Sequence, residues 1–219
     1  MTLTQTGERP VRNIAITVAG VLLFIVLVLA VFVFTTLRPA GVSRDAMQEL
    51  GLFLFEQPRA LPHVELVDQA GEPFVTADLT GKWTLLFFGF TYCPDICPTT
   101  MAQLSQFLRQ LEPRQAAQTR VMLVSVDPAR DTPEKLAEYV RYFNPNFRGL
   151  TGEFLTLQQF ATALNAPFVK QTGAGDNYLV EHGANVALLD AEGHYIGFFR
   201  APLNVEHMVR AYQAVRTAW

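Results

Sequence analysis

Residues 14–37 form one uninterrupted apolar run that contains no charged side chain. A helix of about 20 apolar residues is long enough to cross a bilayer. A helix of this length without a polar face is also a poor candidate for the core of a water-soluble domain. The run therefore predicts a transmembrane anchor at 14–37, which divides the chain into a tail at 1–13, the anchor, a linker at 38–60 and a globular domain at 61–219.

A cleaved signal peptide is the alternative interpretation of the same run. The run exceeds the usual apolar region of about 7–15 residues, and no small-x-small cleavage site comes after it. The basic residues that set the orientation of a membrane span are nearly balanced here, because Arg9 and Arg12 precede the run and Arg38 and Arg44 come after it. We place the tail in the cytoplasm because an N-terminal span usually acts as a signal anchor that exports the domain on its C-terminal side. The domain then faces an oxidising compartment.

Composition limits the remaining classes of function. The chain has 219 residues, with 17 Lys and Arg against 20 Asp and Glu, for a net charge of -3. The basic residues form no block, so we expect no nucleic-acid partner. The part after the anchor is long enough for one domain with a full hydrophobic core.

The order of the predicted elements indicates the fold class. Hydrophobic periodicity and turn residues predict a hairpin at 64–75, strands at 83–90 and 121–126, helices at 98–111, from 133 and at 156–164, a hairpin at 186–199, and a last helix capped by Asn204. The strand at 83–90 is apolar on both faces, as in the centre of a covered sheet. Right-handed crossovers make it a parallel neighbour of the strand at 121–126. We therefore predict a thioredoxin-like α/β fold with an N-terminal β-hairpin, preceded by a single transmembrane helix.

Both cysteines of the chain, Cys93 and Cys97, lie in the run TYCPDICP at 91–98. This run joins the central strand to the next helix, at the sheet edge where open α/β folds place their sites. The free N–H groups and positive end of a helix lower the pKa of nearby thiols. The pair is therefore predicted to be a working dithiol, which either closes a disulfide or holds a thiophilic metal. A purely structural disulfide is disfavoured, because so short a loop loses little entropy when it is closed.

Three residues separate the two cysteines, so both sulfurs can face a common metal across one helical turn. Asp95 between them disfavours a second thiolate unless a cation is present. Two thiolates suit Cu(I), and an added imidazole gives a site that also tolerates Cu(II). His182 is the candidate third ligand, because the loop that enters the strand at 186–190 faces the dithiol in this fold. Its neighbour Glu181 is a candidate to orient the ring.

The other three histidines, His63, His194 and His207, are expected to lie at the surface or to contribute to packing. Phe90 is expected in the core, and Tyr92 at the rim of the pocket.

Four motifs resemble the Sco/SenC family of membrane-anchored copper chaperones for cytochrome c oxidase assembly. They are TYCPDICP at 91–98, SVDPARDTP at 125–133, GLTG at 149–152 and YLVEH at 178–182, and the likeness spans about 60–217. In the second motif, we expect Asp127 to contribute to the field of the site or to partner docking. We expect Asp131 and Thr132 to cap the next helix.

The resemblance implies that Cys93, Cys97 and His182 are copper ligands, with Cu(I) or Cu(II), or both, as cargo. It implies delivery to the CuA site of cytochrome c oxidase subunit II, with other copper chaperones or thiol reductases as further partners. It also implies a bacterial inner (plasma) membrane protein with its C-terminal domain on the periplasmic side. Glu181 replaces the Asp common in the family, and Gly183 replaces a Ser or Thr. These departures concern the tuning of the site, not its ligands.

Two enzymatic alternatives use the same cysteines. A thiol-disulfide oxidoreductase that keeps the CuA cysteines reduced needs Cys93 and Cys97 as its catalytic dithiol but not His182. Such enzymes usually carry a Pro in the loop that faces the dithiol, and residues 173–185 contain none. A peroxidase of the same fold carries a Thr three residues before its reactive Cys, where this chain has Phe90. We therefore favour a copper chaperone over an enzyme.

Overall fold

The computed structural model describes residues 9–36, 43–171 and 178–218, in two compact units. Residues 1–8 of the expected tail at 1–13, residue 37 of the expected anchor, residues 38–42 of the expected linker and residues 172–177 before the YLVEH motif lie outside the described residues. The first unit contains the helix α1 (Arg9–Thr36). Its segment Ile16–Val33 has a mean hydropathy of 3.2 and is long and apolar enough to cross a membrane.

The second unit is a mixed α/β domain. Its helices are α2 (Arg44–Glu49), α3 (Ile96–Gln110), α4 (Pro113–Ala117), α5 (Pro133–Phe143), α6 (Phe154–Ala163) and α7 (Val205–Ala218). Its strands are β1 (Leu52–Arg59), β2 (Glu65–Asp68), β3 (Pro73–Val75), β4 (Trp83–Gly89), β5 (Thr119–Ser125), β6 (Arg148–Thr151), β7 (Phe168–Lys170), β8 (Val180–His182), β9 (Val186–Leu189) and β10 (Tyr195–Phe199).

Eight of these strands form one sheet in the order β1-β10-β9-β4-β5-β6-β2-β3. β4 runs parallel to β5 and antiparallel to β9, and every residue of β4 is buried. The predicted central strand, its parallel neighbour and both hairpins are therefore confirmed. The carboxyl end of β4 and the entry to β9 meet at one edge, because Phe87 is paired with Val186.

Local sequence signals set the helix starts as expected at two places. The Thr132 hydroxyl accepts a hydrogen bond from the Lys135 amide at 3.3 Å, and Pro133 opens α5. Asn204 accepts from the His207 amide at 3.0 Å at the start of α7. Both are N-caps that satisfy a backbone donor left free by the first helical turn.

The second half of the expected linker differs from the prediction. Residues 52–59 form the edge strand β1, which pairs antiparallel with β10. Met47 and Leu52 are buried in the hydrophobic core. This segment is a strand because it pairs with β10, which lies more than a hundred residues away in sequence. Local hydrophobic periodicity does not predict such a pairing.

Two strands stand apart from the main sheet. β7 and β8 form a separate antiparallel ribbon in which Phe168 is paired with His182. The stretch at 178–182, expected as part of a loop, is thus partly a strand.

Candidate metal centre

Cys93, Cys97 and His182 lie together at the carboxyl end of β4. Their ligand atoms, two Sγ and one imidazole nitrogen, all lie within 4.8 Å of one another. Among the described residues, this is the one group of three or more His, Cys, Asp or Glu side chains gathered so closely. Cys93 lies in the turn after β4, Cys97 in the first turn of α3, and His182 at the end of β8. The structure therefore brings together the three residues that the sequence singled out.

The two sulfurs have different surroundings. Cys97 is fully buried, whereas Cys93 is partly exposed. Gly89 makes room for the buried one, because a Cβ atom at Gly89 would lie 2.9 Å from the Cys97 Sγ. One sulfur therefore faces solvent, and the other faces the interior.

This asymmetry also separates the acidities of the two thiols. The pKa of Cys93 is lowered to about 5, first by the hydrogen bond from the Cys97 thiol and further by the backbone N–H groups of Cys97 and Asp95. The Cys97 amide lies 3.4 Å from the Cys93 Sγ. The pKa of Cys97 is raised, because this thiol holds its proton against Cys93 and because it is buried. A neutral dithiol thus loses its first proton from the exposed sulfur.

His182 presents its Nε2 lone pair to the sulfurs. The Nδ1 atom lies 3.0 Å from the Gly183 carbonyl oxygen. A carbonyl oxygen only accepts, so Nδ1 carries the proton and Nε2 is left as an acceptor, 3.4 Å from the Cys97 Sγ. The edges of Phe87 and Phe90 enclose the ring, with centroid separations of 5.9 and 5.7 Å.

Glu181 does not orient the His182 ring, contrary to the sequence-based expectation. Its side chain is exposed and accepts a hydrogen bond from the side-chain amide Nε2 of Gln171 at 2.5 Å. Successive side chains of a strand point to opposite faces, so Glu181 and His182 diverge. The backbone of Gly183 takes the expected role, and this contact needs no particular side chain.

Asp131 supports the cysteine loop instead of capping α5. It is buried and accepts from the Thr91 amide at 3.1 Å, the Thr91 hydroxyl at 2.6 Å and the Ser125 hydroxyl at 2.7 Å. Burial raises the pKa of this carboxyl, and the hydrogen bonds oppose that rise. The expectation of a cap was thus wrong for Asp131 and right for Thr132, its neighbour.

Asp127 lies buried two residues after β5, in contact with one residue of its own loop and one from a distant segment. Its carboxylate accepts from Arg130 and from the Tyr178 hydroxyl. Arg130 also lies over the ring of Tyr92, 4.8 Å from its centroid. Sequence reasoning singled out Asp127 and Tyr92 but missed Arg130, although it lies inside the SVDPARDTP motif.

Tyr92 is 49% exposed, as expected for a residue at the rim, and Phe90 is buried, as expected for the core. The three other histidines lie at or near the surface. His63 is 3.7 Å from Glu65, His194 is 3.4 Å from Asp190, and His207 lies in α7.

The donor set fits copper. Two sulfurs and one imidazole nitrogen are soft to intermediate ligands, which suit copper better than hard cations such as Mg²⁺ or Ca²⁺. The separation of 3.4 Å between the Cys97 Sγ and the His182 Nε2 lets one ion contact both through bonds of about 2.0–2.3 Å. The proton on Nδ1 leaves Nε2 ready to bind without any change of tautomer.

A family model described as SCO1/SenC matches residues 56–217. A protein of Stutzerimonas stutzeri, named for copper binding, is 42% identical over 176 residues, which is 80% of this chain and 86% of that protein. The crystal structure of yeast Sco1 with copper bound superimposes with a TM-score of 0.68 at 29% identity, over 74% of this chain and 91% of that one.

BsSco, a member of the Sco family of cytochrome c oxidase assembly proteins in which a disulfide switch has been identified, superimposes with a TM-score of 0.58. It is 22% identical, over 74% of this chain and 98% of that one, so this likeness concerns the fold alone. The thioredoxin-like α/β fold predicted from the element order is confirmed by these structures.

Proposed function

The chain belongs to the SCO1/SenC family, and on that basis we propose that it is a copper metallochaperone whose ligands are Cys93, Cys97 and His182. Proteins of the Sco family bind copper and take part in cytochrome c oxidase assembly. Within that role, we propose the CuA site of oxidase subunit II as the recipient of the copper. Reduced thiols are a precondition, because only a free dithiol offers two sulfur ligands.

One observation carries the assignment of the ligands. Two thiols and an imidazole, the latter 85 residues from Cys97 in sequence, converge on one point at the edge of the sheet. A dithiol that worked only in redox chemistry would not need an imidazole lone pair directed at its buried sulfur. A copper site needs that lone pair when it holds Cu(II) as well as Cu(I).

The exposure of the ligands supports transfer by ligand exchange. Cys93 is partly exposed and Cys97 is buried, so an incoming ligand of the recipient reaches the side of the site that holds Cys93. Exchange at the exposed sulfur, while Cys97 and His182 still hold the ion, passes copper on without releasing it into water.

The first unit bears on the location of the protein. We propose that the apolar segment Ile16–Val33 is an uncleaved anchor in the bacterial inner membrane, with the α/β domain on the periplasmic side. Intact mass of the protein from isolated membranes tests the anchor, since cleavage would remove the segment. A reporter that is active only after export, fused after residue 219, tests on which side of the membrane the α/β domain lies.

A second function is supported by the acidity of Cys93, whose pKa is lowered to about 5. In that function, the Cys93 thiolate attacks a disulfide of a partner, forms a mixed disulfide and releases one partner thiolate. Cys97 gives its proton to the released partner thiolate and then attacks the Cys93 sulfur, which closes the Cys93–Cys97 disulfide and releases the second thiolate. Two electrons pass from the dithiol to the partner, and an external thiol reductase restores the dithiol.

Transfer to subunit II separates the two functions. The full chain in detergent, reduced and loaded with copper, is mixed with the reduced, metal-free CuA domain, and formation of the CuA absorption spectrum is monitored. We expect transfer with the native chain and with His63→Ala, which removes an exposed histidine that lies 3.7 Å from Glu65 and is not grouped with the three candidate ligands. We expect little or none with Cys93→Ala, Cys97→Ala or His182→Ala.

A copper-free arm tests the reductase function. The reduced chain is mixed with the oxidised CuA domain, and the thiols of that domain are counted. The assignment of His182 as a ligand is rejected if His182→Ala binds and transfers copper as the native chain does. The chaperone is replaced by the reductase if the native chain transfers no copper, while both the native chain and His182→Ala restore the thiols of subunit II.

A further inference from the structure

His182 depends on a small structural element for its position. It lies on the ribbon of β7 and β8, which has three residues in each strand and is separate from the eight-stranded sheet. An isolated two-stranded ribbon is at best marginally stable in water. The place of the imidazole relative to the sulfurs therefore depends on the contacts that attach the ribbon to the domain.

Apolar burial supplies part of that attachment. Phe168 on β7 and Val180 on β8 are buried. Such contacts hold the ribbon against the core, but the hydrophobic effect has no direction and tolerates sliding and rotation. They do not fix the direction of the His182 ring to within a fraction of an ångström.

A directional attachment lies four residues before His182. The Tyr178 hydroxyl donates to the Asp127 carboxylate at 2.5 Å, and the Arg130 Nε donates to the same carboxylate. The Arg130 Nη2 donates to the Tyr178 carbonyl oxygen at 3.0 Å, and the guanidinium stacks 3.7 Å from the centroid of the Tyr178 ring. We call these three residues, Asp127, Arg130 and Tyr178, the tyrosine clamp.

The clamp is buried, which strengthens its hydrogen bonds. Asp127 is 3% exposed and Tyr178 is 8% exposed, while the side chain of Arg130 is 16% exposed. Hydrogen bonds to a charged group away from water are stronger than exposed neutral ones, and a lost partner leaves a costly unsatisfied group. The clamp therefore holds both the ring and the backbone of Tyr178.

The clamp also lies against the cysteine side of the site. The Arg130 guanidinium is 4.8 Å from the ring of Tyr92, which precedes Cys93, and 5.7 Å from the ring of Phe90, which contacts His182. The Val126 amide, next to Asp127, donates to the Gly89 carbonyl oxygen at 2.9 Å at the end of β4. One support thus sets the distance between the sulfur ligands and the nitrogen ligand.

We propose that the tyrosine clamp positions His182, and that it thereby decides whether the site offers three ligands or only the two sulfurs. With the clamp intact, the imidazole completes a site that holds Cu(II). With the clamp broken, the dithiol still binds Cu(I), which needs only two sulfurs. This inference rests on the proposed assignment of Cys93, Cys97 and His182 as ligands.

Two variants weaken the clamp in different ways. Tyr178→Phe removes the hydroxyl but keeps the ring under Arg130. Arg130→Lys keeps the positive charge but loses the planar fork that bonds Asp127 and Tyr178 together. A purely electrostatic role would survive Arg130→Lys, whereas a positioning role would not. Tyr212→Phe is the matched control, because it removes a hydroxyl bonded to Thr119 at 2.7 Å beside Trp83, at the opposite end of β4.

The measurements are copper affinities of the full chain by ligand competition, made separately for Cu(I) and anaerobically for Cu(II). They are accompanied by the Cu(II) spin-resonance spectrum. We expect Tyr178→Phe and Arg130→Lys to weaken Cu(II) binding about tenfold and to reduce nitrogen hyperfine coupling. We expect Cu(I) affinity to change less than about threefold, and Tyr212→Phe to change neither. Equal losses for both oxidation states, or no loss of Cu(II) affinity, would overturn the inference.

Amide hydrogen exchange of the metal-free chain at residues 180–182 gives a readout that does not involve copper. Faster exchange there, with unchanged exchange in β4, is the expected result for both clamp variants, and unchanged exchange at 180–182 contradicts the clamp. His182→Ala separates this inference from the proposed function. If His182→Ala keeps native Cu(II) binding, the ligand assignment itself fails. If His182→Ala loses Cu(II) binding while both clamp variants keep it, only the clamp fails.

Discussion

Replacing Gly89 by alanine tests how tightly the strand end encloses the buried sulfur. The added methyl carbon would lie 2.9 Å from the Cys97 Sγ, 2.9 Å from a ring carbon of Phe87 and 3.2 Å from a methyl of Leu123. Non-bonded heavy atoms settle at about 3.5–4.0 Å, so Cys97 and Phe87 must withdraw by about 0.6–1 Å and Leu123 by about 0.3–0.8 Å. Cys97, Phe87 and Leu123 are all fully buried, which leaves them little space to do so.

The expected cost combines two opposing effects. Overpacking a filled core costs about 1–3 kcal/mol, and the loss of glycine's freedom in the unfolded chain returns about 0.4–1 kcal/mol. The two ranges leave a net destabilisation of about 0–2.6 kcal/mol, with a middle value near about 1.3 kcal/mol. At about 2–4 °C per kcal/mol, that middle value lowers the Tm of a domain of this size by about 3–5 °C. Because Phe87 also encloses the ring of His182, we expect copper affinity to fall by about tenfold or more.

Thermal unfolding of the reduced, metal-free chain gives the Tm, and ligand competition gives the copper affinity. Gly183→Ala is the matched control, since a Cβ atom there would meet nothing within 4 Å although the residue adjoins His182. We expect this control to keep native copper affinity and to change the Tm by no more than about 2 °C. Gly89→Ala with native Tm and native copper affinity would refute the argument that Gly89 sets the position of Cys97.

Two further predictions concern the neighbours of the site. In the reduced, metal-free chain, the rate of Cys93 alkylation should rise with pH through a midpoint near 5, because the thiolate is the reactive form above its pKa and that pKa is lowered to about 5. Cys97→Ala removes the largest cause of the lowering and should move the midpoint upward, whereas a native midpoint near 9 contradicts the hydrogen-bond account. Asp131→Asn should cost more stability than Thr132→Ala, because Asp131 accepts from three donors and Thr132 from one. We expect about 2–3 kcal/mol against about 1 kcal/mol by urea unfolding, and the reverse order would contradict the structure.

The sequence predicts those parts of the fold that depend on local pattern. β4 was predicted because a run that is apolar on both faces fits only a covered strand. The start of α5 was predicted because Thr132 and Pro133 are residue types that favour a helix start whatever surrounds them. β1 was missed because the apolar residues after Leu52 fit a helix or a strand equally well over so short a window. Only the distant partner β10 decides between the two.

The same distinction applies to the site. Cys93, Cys97 and His182 were singled out because the segment after β4 and the segment that enters β9 meet at one sheet edge, whatever the details of the loops. The role of Asp131 was not found, because the position next to a helix start predicts a cap, while its real donors include Thr91, 40 residues away. Arg130 was missed for the same reason, since its partner Tyr178 lies 48 residues further along the chain.

Copper transfer and thiol exchange both require two cysteines that differ in exposure and in acidity. An exposed, acidic Cys93 suits both proposed roles, as the ligand that a recipient displaces and as the nucleophile that attacks a disulfide. His182 is where the two proposed uses diverge, because copper binding would use its Nε2 lone pair, 3.4 Å from the Cys97 Sγ, as a third ligand, whereas disulfide exchange uses the two cysteines alone. A variant that moves the β7–β8 ribbon without touching the cysteines is therefore the sharpest means of separating the two functions.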